Sequence, residues 1–264
     1  ATIPPAEAMP QVKDAALKAI ALDGTLAEAH TSLAFVQWVY DWDWDAAAAE
    51  FQRAIALDPE YATAHDWYGY YLASTGNFEE AIASIRRAKA LEPVSLSIST
   101  DLGEIYYWAG RYPQAIVELQ AVLDVEPGFA MARNILGLTY LETGRVREAI
   151  DQLEAANRLA SGPRMLSTLA YAYGVAGQRE QAEAASEALR AQSADRYTSA
   201  FSLALAELGT GNRVAAIASL EQAFAERSDS MVILGVYPVL KSVREHPRIA
   251  TLIRRVGIPS RAPR

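Results

Sequence analysis

Apolar residues recur along most of the chain at steps of three and four, the spacing of an amphipathic helix. Glycines interrupt these helical stretches at intervals of 33 or 34 residues: Gly76, Gly110, Gly144, Gly177 and Gly211. Each interval therefore contains two helices joined by a tight turn. A repeat of this length predicts an all-α solenoid, in which each unit packs mainly against its neighbours.

Small residues mark the point where the two helices of each unit cross. They are Gly69, Gly103, Gly137, Ala170 and Ala204 in the first helices, and Ala81, Ala115, Ala149, Ala182 and Ala216 in the second helices. Their size lets the two backbones approach closely. Several units end at a proline, as at Pro59, Pro93 and Pro127, where the preceding residue is disfavoured in a helix.

This pattern resembles the tetratricopeptide repeat, a helix-turn-helix unit of 34 residues. The resemblance covers six units in residues 27–230 and implies a right-handed α-α superhelix. The first unit carries one extra residue in its turn. We expect a single domain over residues 1–264, with a partial repeat in residues 1–26 and a C-terminal cap and basic tail in residues 231–264.

The two ends of the chain are expected to differ from the repeats. Asp14 to Asp23 is typical of a second helix whose first helix is missing, and the chain begins at Ala1, so we expect that a segment once preceded it. At the other end, Pro247 and Gly257 fit the first position and the residue after the end of a final capping helix.

Four segments narrow the resemblance: Ala27 to His30, Tyr40 to Trp44, Ala64 to Tyr68, and His246 to Pro259. They are similar to the C-terminal repeat region of bacterial multidomain signalling proteins. In those proteins the repeats follow a winged-helix DNA-binding domain, a serine/threonine kinase domain or a cyclase domain. The resemblance implies a regulatory module.

Composition and charge exclude several classes of function. The net charge of −8 argues against binding of nucleic acid or an anionic membrane by this domain. The absence of cysteine excludes thiol catalysis and Cys-ligated zinc. No apolar stretch is long enough for a membrane helix. We expect a cytoplasmic protein, or a periplasmic one if a membrane anchor has been removed upstream.

The chain offers little material for an active site, so we expect a protein that is not an enzyme and binds no cofactor or metal. Asp41, Asp43 and Asp45 have the opening spacing of a calcium loop, but Ala46 and Gln52 stand where that loop needs Gly and Glu. Asp45 is instead expected to cap the following helix, with Trp42 and Trp44 packing the enlarged turn. His30 and His65 are expected to be packed and hydrogen-bonded.

The resemblance also implies a concave groove lined by positions 2, 5, 9, 12 and 13 of the first helices. The candidate binding residues at such positions are Phe35, Trp38, Asp66, Tyr70, Thr100, Glu104, Tyr107, Trp108, Asn134, Leu138, Tyr171 and Phe201. No unit carries the Lys, Asn and Lys set with which family members bind the acidic tails of chaperones. The groove is aromatic with a few acids.

These features favour a module that binds a peptide or protein segment in the groove. Two alternatives stay open: a sensor for a small apolar molecule, which predicts an enclosed pocket, and a self-association module that forms homo-oligomers. Some of the aromatic residues would then only fill a tightly wound superhelix. Residues 228–264 carry a net charge of +5 against −13 in the rest of the chain, which fits either a solvated cap or an acidic partner.

Overall fold

The computed structural model describes residues 3–259, which form fourteen α-helices. The helices are α1 (Pro5–Leu22), α2 (Ala27–Val36), α3 (Trp44–Leu57), α4 (Ala62–Ser74), α5 (Phe78–Leu91), α6 (Leu96–Trp108), α7 (Tyr112–Val125), α8 (Ala130–Glu142), α9 (Val146–Leu159), α10 (Pro163–Val175), α11 (Arg179–Asp195), α12 (Ala200–Gly209), α13 (Arg213–Ala225) and α14 (Pro247–Val256). From α2 to α13 they form six hairpins, each packed against the next. The predicted all-α solenoid of six repeats is confirmed.

The turns within the repeats depend on a left-handed residue. Gly76 has φ 81° and Gly144 has φ 76°, and each follows the last turn of a first helix. Glycine takes this conformation without the steric penalty of a Cβ atom. The regular spacing of the glycines is therefore the direct cause of the regular hairpins.

The first hairpin accommodates its extra residue as a wide π-helical turn, Gln37–Asp41. Trp42 follows this turn with φ 59°, in the conformation that glycine takes in the other repeats. A bulky residue in this region is strained. The helix then begins at Trp44, and the carboxylate of Asp43 accepts a hydrogen bond from the Ala46 amide at 3.2 Å. The prediction that Asp45 caps this helix is wrong, because the helix starts two residues earlier than expected.

The N-terminal helix α1 is longer than Asp14 to Asp23, the part that the repeat pattern predicts, since it starts at Pro5. Proline suits the first helical position, where no backbone hydrogen bond is lost. At the other end α14 has Pro247 and Gly257 in the predicted places, with Gly257 at φ 72°. No helix in the described part of the chain combines the length and apolar character needed to span a membrane.

Residues 229–243, here called the C-terminal segment, run between α13 and α14 as two short 3₁₀ turns. The segment packs into the concave side of the solenoid as well as closing its end. The Tyr237 ring lies 6.3 Å from the ring of Tyr107 on α6 and 6.2 Å from the ring of Phe201 on α12. Met231 and Leu234 are fully buried. The burial of these apolar side chains against the first helices is favourable, and it holds the segment in this position.

The first repeat touches the C-terminal end of the chain, in a set of contacts here called the junction. The indole Nε1 of Trp44 donates a hydrogen bond to the carbonyl of Val256 at 2.8 Å. The ring of Trp42 lies 4.9 Å from the ring of Phe224 on α13. Trp44 is buried, so its hydrogen bond lies in apolar surroundings. Through these contacts the two ends of the solenoid meet.

Arg227 completes the junction. Its guanidinium lies 4.5 Å from the centre of the Trp42 ring and donates a hydrogen bond to the Tyr40 carbonyl at 2.7 Å. Arg227 has φ 53°. Trp42 and Arg227 are the two non-glycine residues with positive φ in the described part of the chain, and they touch each other. The strain of both residues is therefore concentrated where the ends of the solenoid meet.

The first helices α10 and α12 approach each other backbone to backbone, which the other first helices do not. A Cβ atom on Gly209 would lie 2.3 Å from the carbonyl oxygen of Ala170, and one on Gly174 would lie 1.9 Å from the carbonyl oxygen of Gly209. At these two positions only glycine fits without a shift of the backbone. The close approach brings the sixth repeat against the fifth.

We expect Gly209→Ala to lower the free energy of unfolding by about 1–3 kcal/mol or more, because the added Cβ meets backbone atoms that cannot rotate away. Helix propensity alone would instead raise the free energy of unfolding by about 1 kcal/mol, because alanine favours a helix more than glycine does. Gly162→Ala is the control, since a Cβ at Gly162 meets nothing within 4 Å. Urea unfolding followed by circular dichroism measures both changes, and equal midpoints would contradict the close crossing.

Replacement of Tyr237 tests the position of the C-terminal segment. Tyr237→Ala should lower the free energy of unfolding by about 3–5 kcal/mol, because it leaves an empty volume between α6 and α12. Tyr237→Phe keeps the ring and should change the stability by less than about 1 kcal/mol. Calorimetric melting of the two variants separates the outcomes. If Tyr237→Ala melted like the unmodified chain, the ring would not be packed in the concave side.

Candidate functional site

The concave side of the solenoid contains a partly open cavity of about 610 Å³. Its walls come from the first helices α2, α4, α6, α10 and α12, from the start of α1, and from the C-terminal segment. Known small-ligand sites have volumes of about 300–1,000 Å³. The C-terminal segment occupies the concave surface in front of Tyr107, so the predicted groove is reduced to this cavity.

Seven of the twelve candidate residues line the cavity: Phe35, Trp38, Asp66, Tyr70, Glu104, Trp108 and Phe201. They come from α2 and its π-helical turn, α4, α6 and α12. The other five do not line it: Thr100, Tyr107, Asn134, Leu138 and Tyr171. The cavity thus brings together six of the eight candidates of the first three repeats and one from the sixth.

The five remaining candidates are engaged in the packing of the solenoid. The Thr100 hydroxyl donates to the Leu96 carbonyl at 2.7 Å within α6. The Asn134 amide donates to the hydroxyl of Thr168 at 2.6 Å, which links α8 to α10. Tyr107 and Leu138 are buried, and Tyr171 is half-buried against the core.

Several residues of the cavity were missed by the sequence analysis: Trp67, Asp101, Arg164, Tyr197, Ile233 and Tyr237. Arg164 occupies the second position of its repeat, so the repeat register could have identified it. Trp67 and Asp101 both occupy the sixth position, which the register did not assign to the groove. Tyr237 and Ile233 lie outside the repeats, where no register applies.

Aromatic rings form most of the apolar wall. The rings of Phe35 and Trp67 lie 4.8 Å apart, and those of Tyr70 and Trp108 meet edge to face at 5.3 Å. Phe35, Trp67 and Tyr70 are half-buried, so each presents part of its ring to the cavity. Edge-to-face pairs hold each other in place and leave a fixed apolar surface.

Four carboxyl groups line the cavity: Asp66, Asp101 and Glu104 on the first helices, and Asp229 on the C-terminal segment. The Tyr70 hydroxyl oxygen lies 2.8 Å from Asp101 Oδ1 and 2.8 Å from Glu104 Oε2. A tyrosine hydroxyl has one proton to donate, so the second contact is favourable only when that carboxyl carries a proton. Arg164 donates to Glu104 Oε1 at 2.6 Å. Glu104 therefore has a cationic partner, whereas Asp66 and Asp101 have none among the described residues.

Burial, followed by the nearby charge of Asp101, raises the pKa of Asp66 to about 8. Burial also raises the pKa of Asp101 to about 6, although the Tyr70 hydroxyl acts in the opposite direction. Burial and the charges of Asp101 and Glu104 hold the pKa of Tyr70 well above its usual value. Because these carboxyl groups are buried close to one another, the ionisation of all of them at once is unfavourable.

Two polar atoms in the wall have no hydrogen-bond partner among the described residues. They are Oδ1 of Asp66 and the indole Nε1 of Trp108. Both side chains are buried, Asp66 with 6% and Trp108 with 7% of its surface exposed. A buried polar atom without a partner costs about 1–3 kcal/mol. The wall of the cavity thus contains two buried polar atoms whose hydrogen-bonding capacity is not used by the described residues.

The candidate metal ligands are used in other ways. Lys13 pairs with Asp41 at 2.6 Å. His30 Nδ1 lies 2.5 Å from Glu50, and His65 Nε2 lies 3.0 Å from the Pro59 carbonyl. Within residues 3–259, no three His, Asp or Glu side chains come together in a way that would hold a metal ion.

Several basic residues near the C-terminus stabilise the end of the solenoid. Arg248 forms an ion pair with Glu221, and the Arg255 guanidinium lies 4.2 Å from the centre of the Phe224 ring. The Arg244 guanidinium donates to the Tyr237 carbonyl at 2.7 Å. Arg261 and Arg264, which contribute to the positive charge of residues 228–264, lie outside the described residues.

Residues 42–95 and 100–162 match a family model described as tetratricopeptide repeat. No curated protein matches the chain. Among solved structures, the fold resembles the APC/C hetero-tetramer Cut9-Hcn1, with a TM-score of 0.64 and 16% identity over 94% of this chain and 46% of that one. This chain thus spans less than half the length of that protein.

Two further structures are similar. PilW, a widely conserved type IV pilus biogenesis factor, has a TM-score of 0.58 and 19% identity over 82% of this chain and 97% of its own. The pilF protein of Pseudomonas aeruginosa has a TM-score of 0.54 and 18% identity over 79% of this chain and 95% of its own. At such identities the likeness shows a shared fold and nothing about the ligand.

The raised pKa of Asp66 predicts how stability depends on pH. Between the ordinary value of 3.8 and about 8, folded Asp66 keeps a proton that the unfolded chain has released, so stability falls as pH rises through this window. The substitution Asp66→Asn removes the titrating group, so this decrease in stability with rising pH should disappear. Relative to the unmodified chain, the variant should gain up to about 1.4 kcal/mol for each pH unit from 4 to 8.

Urea unfolding at pH 5 and pH 8 tests this dependence. The control is Asp151→Asn, at an exposed position on α9, which should change stability equally at both pH values. A difference between Asp66→Asn and the unmodified chain that stays constant with pH would show that Asp66 is not held in these surroundings.

Proposed function

We propose that this chain belongs to the tetratricopeptide repeat proteins and is a non-enzymatic interaction module that receives a short segment of a partner protein in the concave cavity. The repeat fold supports a role in protein interaction. The observation that carries the proposal is the aromatic wall of the cavity, where half-buried rings are accessible to a ligand. Aromatic residues in water-excluding pockets supply much of the binding energy of protein interfaces.

The size of the cavity limits what the module receives. An extended peptide would need the whole concave surface, but Tyr237 and the rest of the C-terminal segment already cover the part in front of Tyr107. A volume of about 610 Å³ holds a few side chains of a partner. The proposed ligand is therefore one or two anchoring side chains and the backbone next to them.

A small apolar molecule is the second candidate. The observation that favours it is the coverage of the concave surface by α1 and the C-terminal segment, which leaves a pocket of the size that small ligands occupy. A peptide and a small molecule would contact the same rings. They differ in whether flanking peptide backbone adds to the affinity.

We further propose that the module regulates a larger signalling protein. The support is the resemblance of Tyr40 to Trp44 and His246 to Pro259 to the repeat region of bacterial signalling proteins. A complete reading frame with a winged-helix, kinase or cyclase domain before these repeats would support this role. A frame without such a domain would contradict it.

Selection from a displayed library of random heptapeptides tests the peptide-binding function. Enriched peptides should bind the purified protein in a fluorescence anisotropy titration, and Trp67→Ala should weaken that binding at least about tenfold. Tyr173→Ala is the matched control, because Tyr173 lies on α10 outside the cavity, with its hydroxyl 2.8 Å from Glu154. Peptides that bind Trp67→Ala as tightly as the control would contradict binding in the cavity.

A further inference from the structure

The cavity wall carries more negative than positive groups. Asp66, Asp101, Glu104 and Asp229 line it, and the cation of the wall, Arg164, forms its ion pair with Glu104. That guanidinium contacts Glu104, so it is already engaged. The wall therefore has room for one more positive charge near Asp66 and Asp101.

An unused acceptor marks the place where this charge would bind. The Asp66 side chain lines the cavity, and its Oδ1 is buried without a hydrogen-bond partner among the described residues. A ligand that brings an N–H group to this oxygen removes the cost of leaving it unsatisfied. A charged N–H donor also makes a stronger hydrogen bond to a carboxylate than a neutral one does.

The aromatic wall suits the same kind of ligand. The rings of Trp67, Tyr70 and Trp108 line the same cavity and lie on the same two helices, α4 and α6, as Asp66, Asp101 and Glu104. The face of an aromatic ring attracts a cation, and the attraction is stronger where water is excluded. An alkyl chain that carries the cation would also be buried against these rings.

We propose that the cavity selects a primary alkylammonium group, with its alkyl chain against the aromatic wall and its N–H groups on Asp66 and the neighbouring carboxyls. The inference rests on the proposed function, because it names the chemistry of the side chain that the same cavity receives. A compact ammonium with three donors fits a cluster of separate carboxyls better than a planar guanidinium does. The group comes either from a lysine of a partner segment or from a free alkylamine.

The proposal implies that binding is coupled to proton release. Asp101 of α6 and Glu92, just after α5, raise the pKa of Asp66 through their negative charge, whereas Arg164 of α10 acts on Asp101 in the opposite direction. Tyr70 lies on the same helix as Asp66 and donates to the cluster. An arriving ammonium favours the ionised form of Asp66, so affinity should rise as pH increases from 6 to 9.

Calorimetric titration of the purified chain with three probes tests the proposal. The probes are Nα-acetyl-lysine methylamide, its uncharged analogue Nα-acetyl-norleucine methylamide, and free pentylamine. The first should bind at least about tenfold more tightly than the norleucine probe at pH 8.5. Asp66→Asn should abolish this preference, and the exposed control Asp151→Asn should keep it. At pH 7, where folded Asp66 with its pKa of about 8 is still protonated, the lysine probe should also release protons on binding, seen as a heat that varies with the buffer.

The outcomes separate this inference from the proposed function. Equal binding of the lysine and norleucine probes, lost in both cases in Trp67→Ala, would overturn cation selection but leave an aromatic binding cavity. Absence of binding by all three probes would overturn the cation site, and the heptapeptide selection would then decide the proposed function independently. If pentylamine binds more tightly than the lysine probe, selection of an alkylammonium group is supported, and a free amine is favoured over a lysine side chain as its source.

Discussion

The shape of the concave side of this solenoid depends on the contact between the first repeat and the C-terminal end of the chain. Repeat proteins are usually open, because each unit touches only its neighbours. Here Trp44 donates to the Val256 carbonyl and Trp42 packs between Phe224 and Arg227. The closed arrangement holds the C-terminal segment inside the concave side, and the space that remains is the cavity.

The junction and the cavity share a physical property, since both hold groups in unfavourable states. Trp42 and Arg227 adopt left-handed backbone conformations, and Asp66 is a buried carboxyl with an unsatisfied oxygen. Strained backbone conformations and carboxyl groups with shifted pKa values persist only when the surrounding packing compensates for them. Both are frequent at functional sites. The well-packed hairpins from α4 to α13 provide this compensation.

The repeated part of the fold could be predicted from the sequence, whereas its closure could not. The spacing of Gly76 and the later glycines reports local turn geometry, which depends on nearby residues alone. The position of Tyr237 depends on contacts with Tyr107 and Phe201, which are distant in sequence and belong to no repeat pattern. The register could therefore not show that the C-terminal segment covers part of the groove.

Only part of the candidate site could be predicted, again because the register describes the repeats and not the contacts between distant parts of the chain. Asp66, Tyr70 and Glu104 follow from the repeat register and do line the cavity. Asp101 lies one position outside the assigned groove positions, yet it shares the Tyr70 hydroxyl with Glu104. A single register describes an ideal superhelix, but the helix orientations in this closed solenoid bring additional positions to the concave side.

The most direct test of the account is the distance between the two ends of the solenoid in solution. The chain has no cysteine, so cysteines introduced at the exposed positions Asp45 and Thr251 would carry spin labels at those two places alone. Pulsed electron paramagnetic resonance should give one narrow, short distance distribution, which becomes longer and broader when Trp44→Ala is added. A broad distribution of long distances without that substitution would show an open solenoid and contradict the closed cavity.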